Sequence, residues 1–208
     1  MNRQITFFYA PQTRASGTLA LLEALGAEYD IHMLDLKAGT QRDPAYLAVN
    51  PMGKVPAIRH GDAVVTEQVA VMLYLADLYA ERGLAPGLED PLRGPYLRWM
   101  AFYGSCFEPA VVDRSLEREA GEASSSGYGS YDHVMDALAG QLGTGPWLLG
   151  ERFTAADVLW GTALKWTLQF GLVPDRAVFR DYVERVAAVP AIQRAAGMDE
   201  AHAARLAA

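Results

Sequence analysis

The pattern of apolar residues changes once along this chain, and that change constrains the fold more than any other feature. Over the first part, short β-branched and aromatic runs alternate with stretches that repeat apolar residues at helical spacing. After a segment rich in proline and glycine, Leu84–Pro95, every remaining periodic stretch is helical. The chain therefore predicts two parts in series, a mixed α/β part followed by an all-α part.

The first part predicts a β-α-β unit followed by a β-β-α unit. A strand over Ile5–Tyr9, a helix over Thr13–Leu25 and a strand over Tyr29–Leu34 follow one another, which is the order of a parallel pair with a crossover helix. The pair Gly61-Asp62 separates two further strand-like runs and favours an antiparallel hairpin. Glu67–Tyr79 then has one apolar helical face.

The second part predicts a long helix followed by several shorter ones. Its candidates are Tyr96–Glu119, Tyr131–Leu142, Ala155–Phe170 and Asp175–Ala188, with a short helix after Pro190. We therefore divide the chain into a first domain over residues 1–81, a linker over 82–92 and an all-α domain over 93–208.

Composition limits the classes of function. The chain has 208 residues, of which 51% are hydrophobic and 21% charged, and this is ordinary globular usage. Its net charge of −7 argues against a nucleic-acid partner, and no apolar run is long enough to span a membrane. The single cysteine, Cys106, excludes an internal disulfide, and the four histidines form no metal-like cluster. We expect a cytoplasmic protein without a metal.

Three segments together carry a resemblance to a known family. Asn50–Ala57, Thr66–Ala70 and Phe153–Asp157 resemble, in order and spacing, the loop before the third strand, the strand-to-helix turn and the helix cap of glutathione transferases. The resemblance implies an α/β thioredoxin-like N-terminal domain, an all-α C-terminal helical bundle, a homodimer, and glutathione as co-substrate. Independently, Thr154 and Asp157 have the spacing of a capping box at a helix start.

The resemblance also implies a set of glutathione-binding residues. The bond between Val55 and Pro56 is expected to be cis, so that the backbone of Val55 pairs with the cysteinyl residue of the peptide. Glu67 is expected to bind the ammonium of the γ-glutamyl end, and Gln68 stands where the family usually has serine. A helix start suits the adjacent carboxylate, and Lys54 is a further candidate cation for a ligand carboxylate.

The thiol-activating group is expected where the first strand meets the first helix. Tyr9 matches the strand tyrosine of the bacterial classes, the usual serine position falls near Gln12 or Thr13, and the bacterial cysteine position falls at Arg14. We predict Thr13 as the hydroxyl donor ahead of Tyr9, with Arg14 and the helix dipole assisting. Gln12 is predicted to contact glutathione.

The resemblance places the second substrate, a small hydrophobic electrophile, against the helical domain. We predict Tyr103, Phe107 and Trp166 as its aromatic pocket, although aromatic residues at helical spacing also form ordinary core. The predicted function is a glutathione transferase that activates the thiol for attack on the electrophile. Two alternatives remain open: a glutathione-dependent disulfide or peroxide reductase, and a non-catalytic glutathione- or ligand-binding protein of the same fold.

Overall fold

The computed structural model describes residues 3–122 and 124–207 and divides into two compact units. The first unit contains the residues up to Arg82 together with the segment from Val189 onward. The second unit runs from Gly83 to Ala188. The end of the first unit falls within one residue of the sequence-based limit, but the C-terminal segment groups with the first unit, whereas the sequence assigned it to the all-α part.

The first unit is built on a four-stranded mixed sheet. Its strands are β1 (Ile5–Tyr9), β2 (Tyr29–Met33), β3 (Ala57–His60) and β4 (Ala63–Thr66). The strand order is β2-β1-β3-β4, with β2 parallel to β1 and with antiparallel pairs on the other side. Its first helices are α1 (Ala15–Leu25), α2 (Pro44–Leu47) and α3 (Gln68–Leu78). This is the predicted β-α-β and β-β-α order.

The C-terminal helix α9 (Pro190–Ala207) is far longer than the sequence predicted. It has 18 residues and packs along α1 within the first unit, with Ile192 and Ala195 buried. Proline at its first position is favourable because that residue needs no intrahelical N–H bond, and the alanines that follow are the best helix formers. The contact between α9 and α1 is long-range, because α1 lies near the start of the chain.

Within the described residues of the second unit, the helices are joined by loops, and the one β-bridge pairs Trp147 with Gly150. The helices of this unit are α4 (Arg93–Phe102), α5 (Glu108–Ser115), α6 (Tyr131–Leu142), α7 (Ala155–Gln169) and α8 (Ala177–Ala187). The predicted single helix Tyr96–Glu119 is wrong in detail, because a π-helical turn at Tyr103–Phe107 separates α4 from α5 and the helix ends at Ser115. Such wide turns insert one extra residue and cannot be read from apolar periodicity.

A buried carboxylate caps the central helix of this unit. Asp157 is fully buried and accepts hydrogen bonds from the backbone N–H groups of Thr154 (2.8 Å) and Leu148 (2.7 Å) and from the hydroxyl of Tyr182 (2.9 Å). With the Thr154 side chain it forms the predicted capping box of α7. Burial raises the pKa of Asp157, and these hydrogen bonds oppose that rise. One side chain thus fixes the start of α7, the chain before it and α8.

Helices α7 and α8 approach each other closely at a glycine. A Cβ atom on Gly161 would lie 2.4 Å from Cγ1 of Val186, which is itself buried. Only glycine fits at this crossing without displacing α8.

Among the described residues, no helix has both the length and the apolar character needed to cross a membrane.

Candidate functional site

Three loops of the first unit meet at one end of its sheet because of the strand register. Phe8, near the end of β1, pairs with Ala57 at the start of β3, and Ala57 also pairs with Thr66 at the end of β4. The residues one step beyond these pairs are Pro56 and Glu67. The loop after β1, the loop before β3 and the turn after β4 therefore lie side by side. Two of the three segments behind the family resemblance belong to this group.

The loop before β3 is held by hydrogen bonds from the side chains of Tyr46 and Asn50. The carbonyl of Lys54 accepts hydrogen bonds from the Tyr46 hydroxyl (2.5 Å) and from the Asn50 amide (2.9 Å). Asn50 is buried, and its oxygen accepts from the N–H of Met52. The Val55–Pro56 bond is cis, as the resemblance implied. The Lys54 side chain itself is exposed and lies beside this ordered loop.

Gly53 in this loop has a left-handed backbone conformation, with φ of 60°. A Cβ atom there would lie 2.8 Å from the carbonyl oxygen of Gln41 and equally close to the guanidinium of Arg42. Both the backbone angle and the close approach therefore require glycine. The Arg42 guanidinium also donates a hydrogen bond to the carbonyl of Met52, and this contact stabilises the loop.

The turn after β4 joins the start of α3 to the start of α1. The Gln68 side-chain amide donates to the carbonyl of Arg14 (3.0 Å), which links the two helix starts. The side-chain oxygen of Gln68 is buried and has no hydrogen-bond partner within the described part of the chain. Glu67 has a positive φ of 65°, an unusual conformation for this residue type, and its exposed carboxylate accepts from the Thr66 hydroxyl.

Thr13 lies just before the start of α1, and its hydroxyl bonds to the backbone on both sides. Its hydroxyl accepts from the N–H of Ala15 (3.1 Å) and donates to the carbonyl of Ala10 (2.7 Å). The hydroxyl hydrogen of Thr13 thus has a partner within the protein, and its role in thiol activation stays a prediction. Arg14 follows at the helix cap position, and its side chain is exposed.

Behind the same loop lies Asp199 of α9, a residue that the sequence did not indicate. Its carboxylate accepts from the hydroxyls of Tyr9 and Ser16 (2.5 Å each) and from the N–H of Gln12 (3.2 Å). The His202 ring packs edge-on against Tyr9. Burial, and next the bond to Asp199, raise the pKa of Tyr9 far above its usual range. Tyr9 is therefore a buried phenol whose hydroxyl donates a hydrogen bond to the Asp199 carboxylate.

The three aromatic residues predicted for the electrophile lie in the second unit and have different surroundings. Tyr103 and Phe107 are buried and pack against Trp160, with centroid distances of 5.4 and 4.9 Å. Trp166 is partly exposed and contacts Phe170, whose ring is largely exposed. Tyr103 and Phe107 thus have the packing of core residues, and the pocket stays a prediction.

Potential metal ligands do not gather in the described part of the chain. Residues 3–122 and 124–207 contain no group of three or more His, Cys, Asp or Glu side chains arranged to hold a metal ion. Cys106, partly buried in the π-helical turn of the second unit, has the hydroxyl of Ser105 at 3.5 Å.

The fold and the loops at the sheet end define a class: a thioredoxin-like domain followed by a helical domain. The family model for the glutathione S-transferase N-terminal domain matches residues 3–77, and the model for the C-terminal domain matches residues 109–185. Together they cover most of the chain, which belongs to the glutathione transferase family. The predicted fold class is confirmed.

Individual relatives agree with the family models. Glutathione S-transferase PARB of Nicotiana tabacum is 28% identical over 141 residues, 63% of this chain and 66% of the relative, just under two thirds of its length. Glutathione S-transferase 2 of Anopheles gambiae is 27% identical over 91% of this chain and 93% of its own length. A sphingomonad glutathione S-transferase solved with glutathione has a TM-score of 0.76 at 28% identity, over 94% of this chain and 98% of that one.

Proposed function

We propose that the chain is a glutathione transferase that binds glutathione at the end of the sheet in its first unit and stabilises the thiolate. The observation that carries this proposal is the register, which joins the Val55–Pro56 loop and the Glu67–Gln68 turn beside the start of α1. The hydrogen bond from Gln68 to the Arg14 carbonyl supports the same arrangement. The sphingomonad relative with bound glutathione supports the choice of ligand.

In this proposal each end of the peptide has its own partners. The Glu67 carboxylate pairs with the γ-glutamyl ammonium, and the start of α3 holds the neighbouring carboxylate. The backbone of Val55 pairs with the cysteinyl residue, and Lys54 supplies a positive charge for the glycyl carboxylate. Gln12 contributes through its exposed side chain, since its N–H already donates to Asp199.

Thiolate formation is assigned to the start of α1. A thiol near pKa 8.5 is only a few per cent ionised at neutral pH, so a donor and a positive potential next to the sulfur raise the thiolate fraction. Thr13 is the better donor, because a hydroxyl can rotate away from the Ala10 carbonyl at the loss of one ordinary hydrogen bond. Tyr9 is the weaker donor, because it is buried and its hydroxyl donates to Asp199. Arg14 adds positive charge.

The direct test of this function is glutathione binding by calorimetry on the wild-type chain. We expect binding at millimolar ligand or below, and turnover of an aryl halide that depends on glutathione. Absence of heat at millimolar glutathione would overturn the proposal. Glutathione as co-substrate, the cytoplasmic location and the homodimer are parts of the same proposal. Sedimentation tests the homodimer.

The Thr13 assignment gives a separate prediction. Thr13→Val removes the hydroxyl, and we expect kcat/KM to fall about tenfold, the equivalent of one pKa unit in the bound thiol. The rate should reach its plateau at higher pH in this variant. Thr13→Ser keeps the hydroxyl and should retain activity. The measurement is the pH dependence of aryl halide turnover.

Thr18→Val on the same helix is the matched control. The Thr18 hydroxyl is buried and, among the described residues, has no hydrogen-bond partner, so its loss should leave the rate unchanged. If Thr13→Val and Thr18→Val both retain wild-type pH profiles, Thr13 is not the activating group.

One observation favours a second candidate function, a protein that binds glutathione without activating it. Both candidate hydroxyls, of Tyr9 and Thr13, donate to partners within the protein. If glutathione binds but neither an aryl halide nor a small disulfide is turned over, the binding protein is correct. Turnover of the disulfide alone identifies a reductase.

A further inference from the structure

The Asp199 carboxylate accepts hydrogen bonds from three successive parts of the chain between β1 and α1. Tyr9 is the last residue of β1, Gln12 lies in the loop, and Ser16 belongs to the first turn of α1. The hydroxyls of Tyr9 and Ser16 and the N–H of Gln12 all donate to this one carboxylate. Hydrogen bonds to an ionised acceptor are the strong ones. Asp199 therefore fixes the path of the chain from the end of β1 into α1.

The loop needs such a fixing contact at Gln12. This residue has a φ of 57°, a left-handed conformation that costs free energy for a residue with a side chain. Its N–H donates to both carboxylate oxygens of Asp199, at 3.3 and 3.2 Å. Strained conformations persist only where the surroundings hold them. The next two residues are Thr13 and Arg14, which the proposed function places beside the thiol.

The start of α1 is thus held from two directions. Gln68 donates to the Arg14 carbonyl from the side of α3, and Asp199 accepts from the loop on the side of α9. Three protein donors, from Tyr9, Gln12 and Ser16, already bond to the Asp199 carboxylate. We propose that Asp199 is a positioning residue, which keeps the loop 9–16 in the conformation that binds glutathione. This inference rests on the proposed function.

The experiment compares Asp199→Ala with Arg194→Gln. Arg194 also lies on α9, and its guanidinium contacts Glu23 at 3.4 Å near the far end of α1. This control weakens the packing of α9 on α1 without touching the loop. Two measurements are made on each full-length variant: hydrogen exchange at the Gln12 amide without ligand, and glutathione binding by calorimetry with steady-state kinetics.

We expect Asp199→Ala to lose protection at the Gln12 amide and to bind glutathione about tenfold more weakly. If only a tenth of the molecules have the loop conformation that binds glutathione, the apparent Kd rises tenfold. KM for glutathione should rise in the same proportion, while kcat at saturating glutathione stays near wild type. Asp199→Asn keeps one acceptor oxygen and should recover part of the affinity. Arg194→Gln should behave as wild type in both measurements.

A purely structural role gives a different result. Loss of folded protein in Asp199→Ala would lower kcat and leave KM unchanged, and this would overturn the inference. Unchanged glutathione affinity in Asp199→Ala would overturn it as well, and so would an equal weakening in Arg194→Gln. If the wild-type chain binds no glutathione, the proposed function fails. Hydrogen exchange at the Gln12 amide is measured without ligand, so it tests separately whether Asp199 holds the loop. Unchanged exchange in Asp199→Ala would show that it does not.

Discussion

Replacing Asp157 by alanine should lower the free energy of unfolding by about 3–5 kcal/mol, because several buried donors lose their acceptor at roughly 1–3 kcal/mol each. The Thr154 and Leu148 N–H groups and the Tyr182 hydroxyl all bond to this fully buried carboxylate. Domains are stable by only about 5–15 kcal/mol. The loss is therefore a large part of the total, and urea unfolding followed by circular dichroism measures it.

Two further variants show whether the donors are the cause. Asp157→Asn keeps the shape and one acceptor oxygen, so it should be less harmful than alanine. Asp181→Ala removes an exposed carboxylate of α8 and should change stability by less than about 0.5 kcal/mol. A loss below about 1 kcal/mol in Asp157→Ala would mean that water or a shifted side chain replaces the carboxylate.

Replacing Glu67 by glutamine should weaken glutathione binding about 10- to 100-fold. The expected loss is one charge-assisted hydrogen bond to the γ-glutamyl ammonium, worth about 1.5–3 kcal/mol. Glutamine keeps the length of the side chain, so the turn with its positive φ at residue 67 is disturbed as little as possible. Calorimetry with glutathione measures the effect.

A glutathione analogue without the ammonium group makes this test specific. The wild-type chain should bind the analogue more weakly than glutathione, whereas Glu67→Gln should hardly distinguish the two ligands. Glu28→Gln is the control, since Glu28 is exposed and lies beside the other end of β1, where its carbonyl accepts from Ile5. Equal affinity of wild type and Glu67→Gln for glutathione would remove Glu67 from the site.

The features that the sequence predicted well are encoded by residues close together in the chain. The capping box joins Thr154 and Asp157, which are three positions apart, and the structure has it as predicted. The hairpin at Gly61-Asp62 and the loop of Asn50–Ala57 likewise depend on short-range turn chemistry. The fold class followed from these segments and from the change in periodicity.

The features that the sequence missed depend on contacts between distant residues. Asp199 lies between Met198 and Glu200 on α9, 183 positions from Ser16. No local pattern marks it, because its role arises only where α9 packs on α1. The sequence also missed the π-helical turn at Tyr103–Phe107. Apolar periodicity predicted one regular helix there, whereas in the structure Phe107 of this turn packs against Trp160 of α7.

The sequence alone determined the order of strands and helices, the family resemblance and the candidate residues of the three loops, because each is encoded locally in side-chain type and spacing. Tertiary structure alone decided which hydroxyls have partners, that Tyr9 is buried beside the Asp199 carboxylate, and that α9 belongs with the first unit. Hydrogen-bond partners and pKa values depend on which atoms lie within a few ångströms in space. Spacing along the chain does not give those distances.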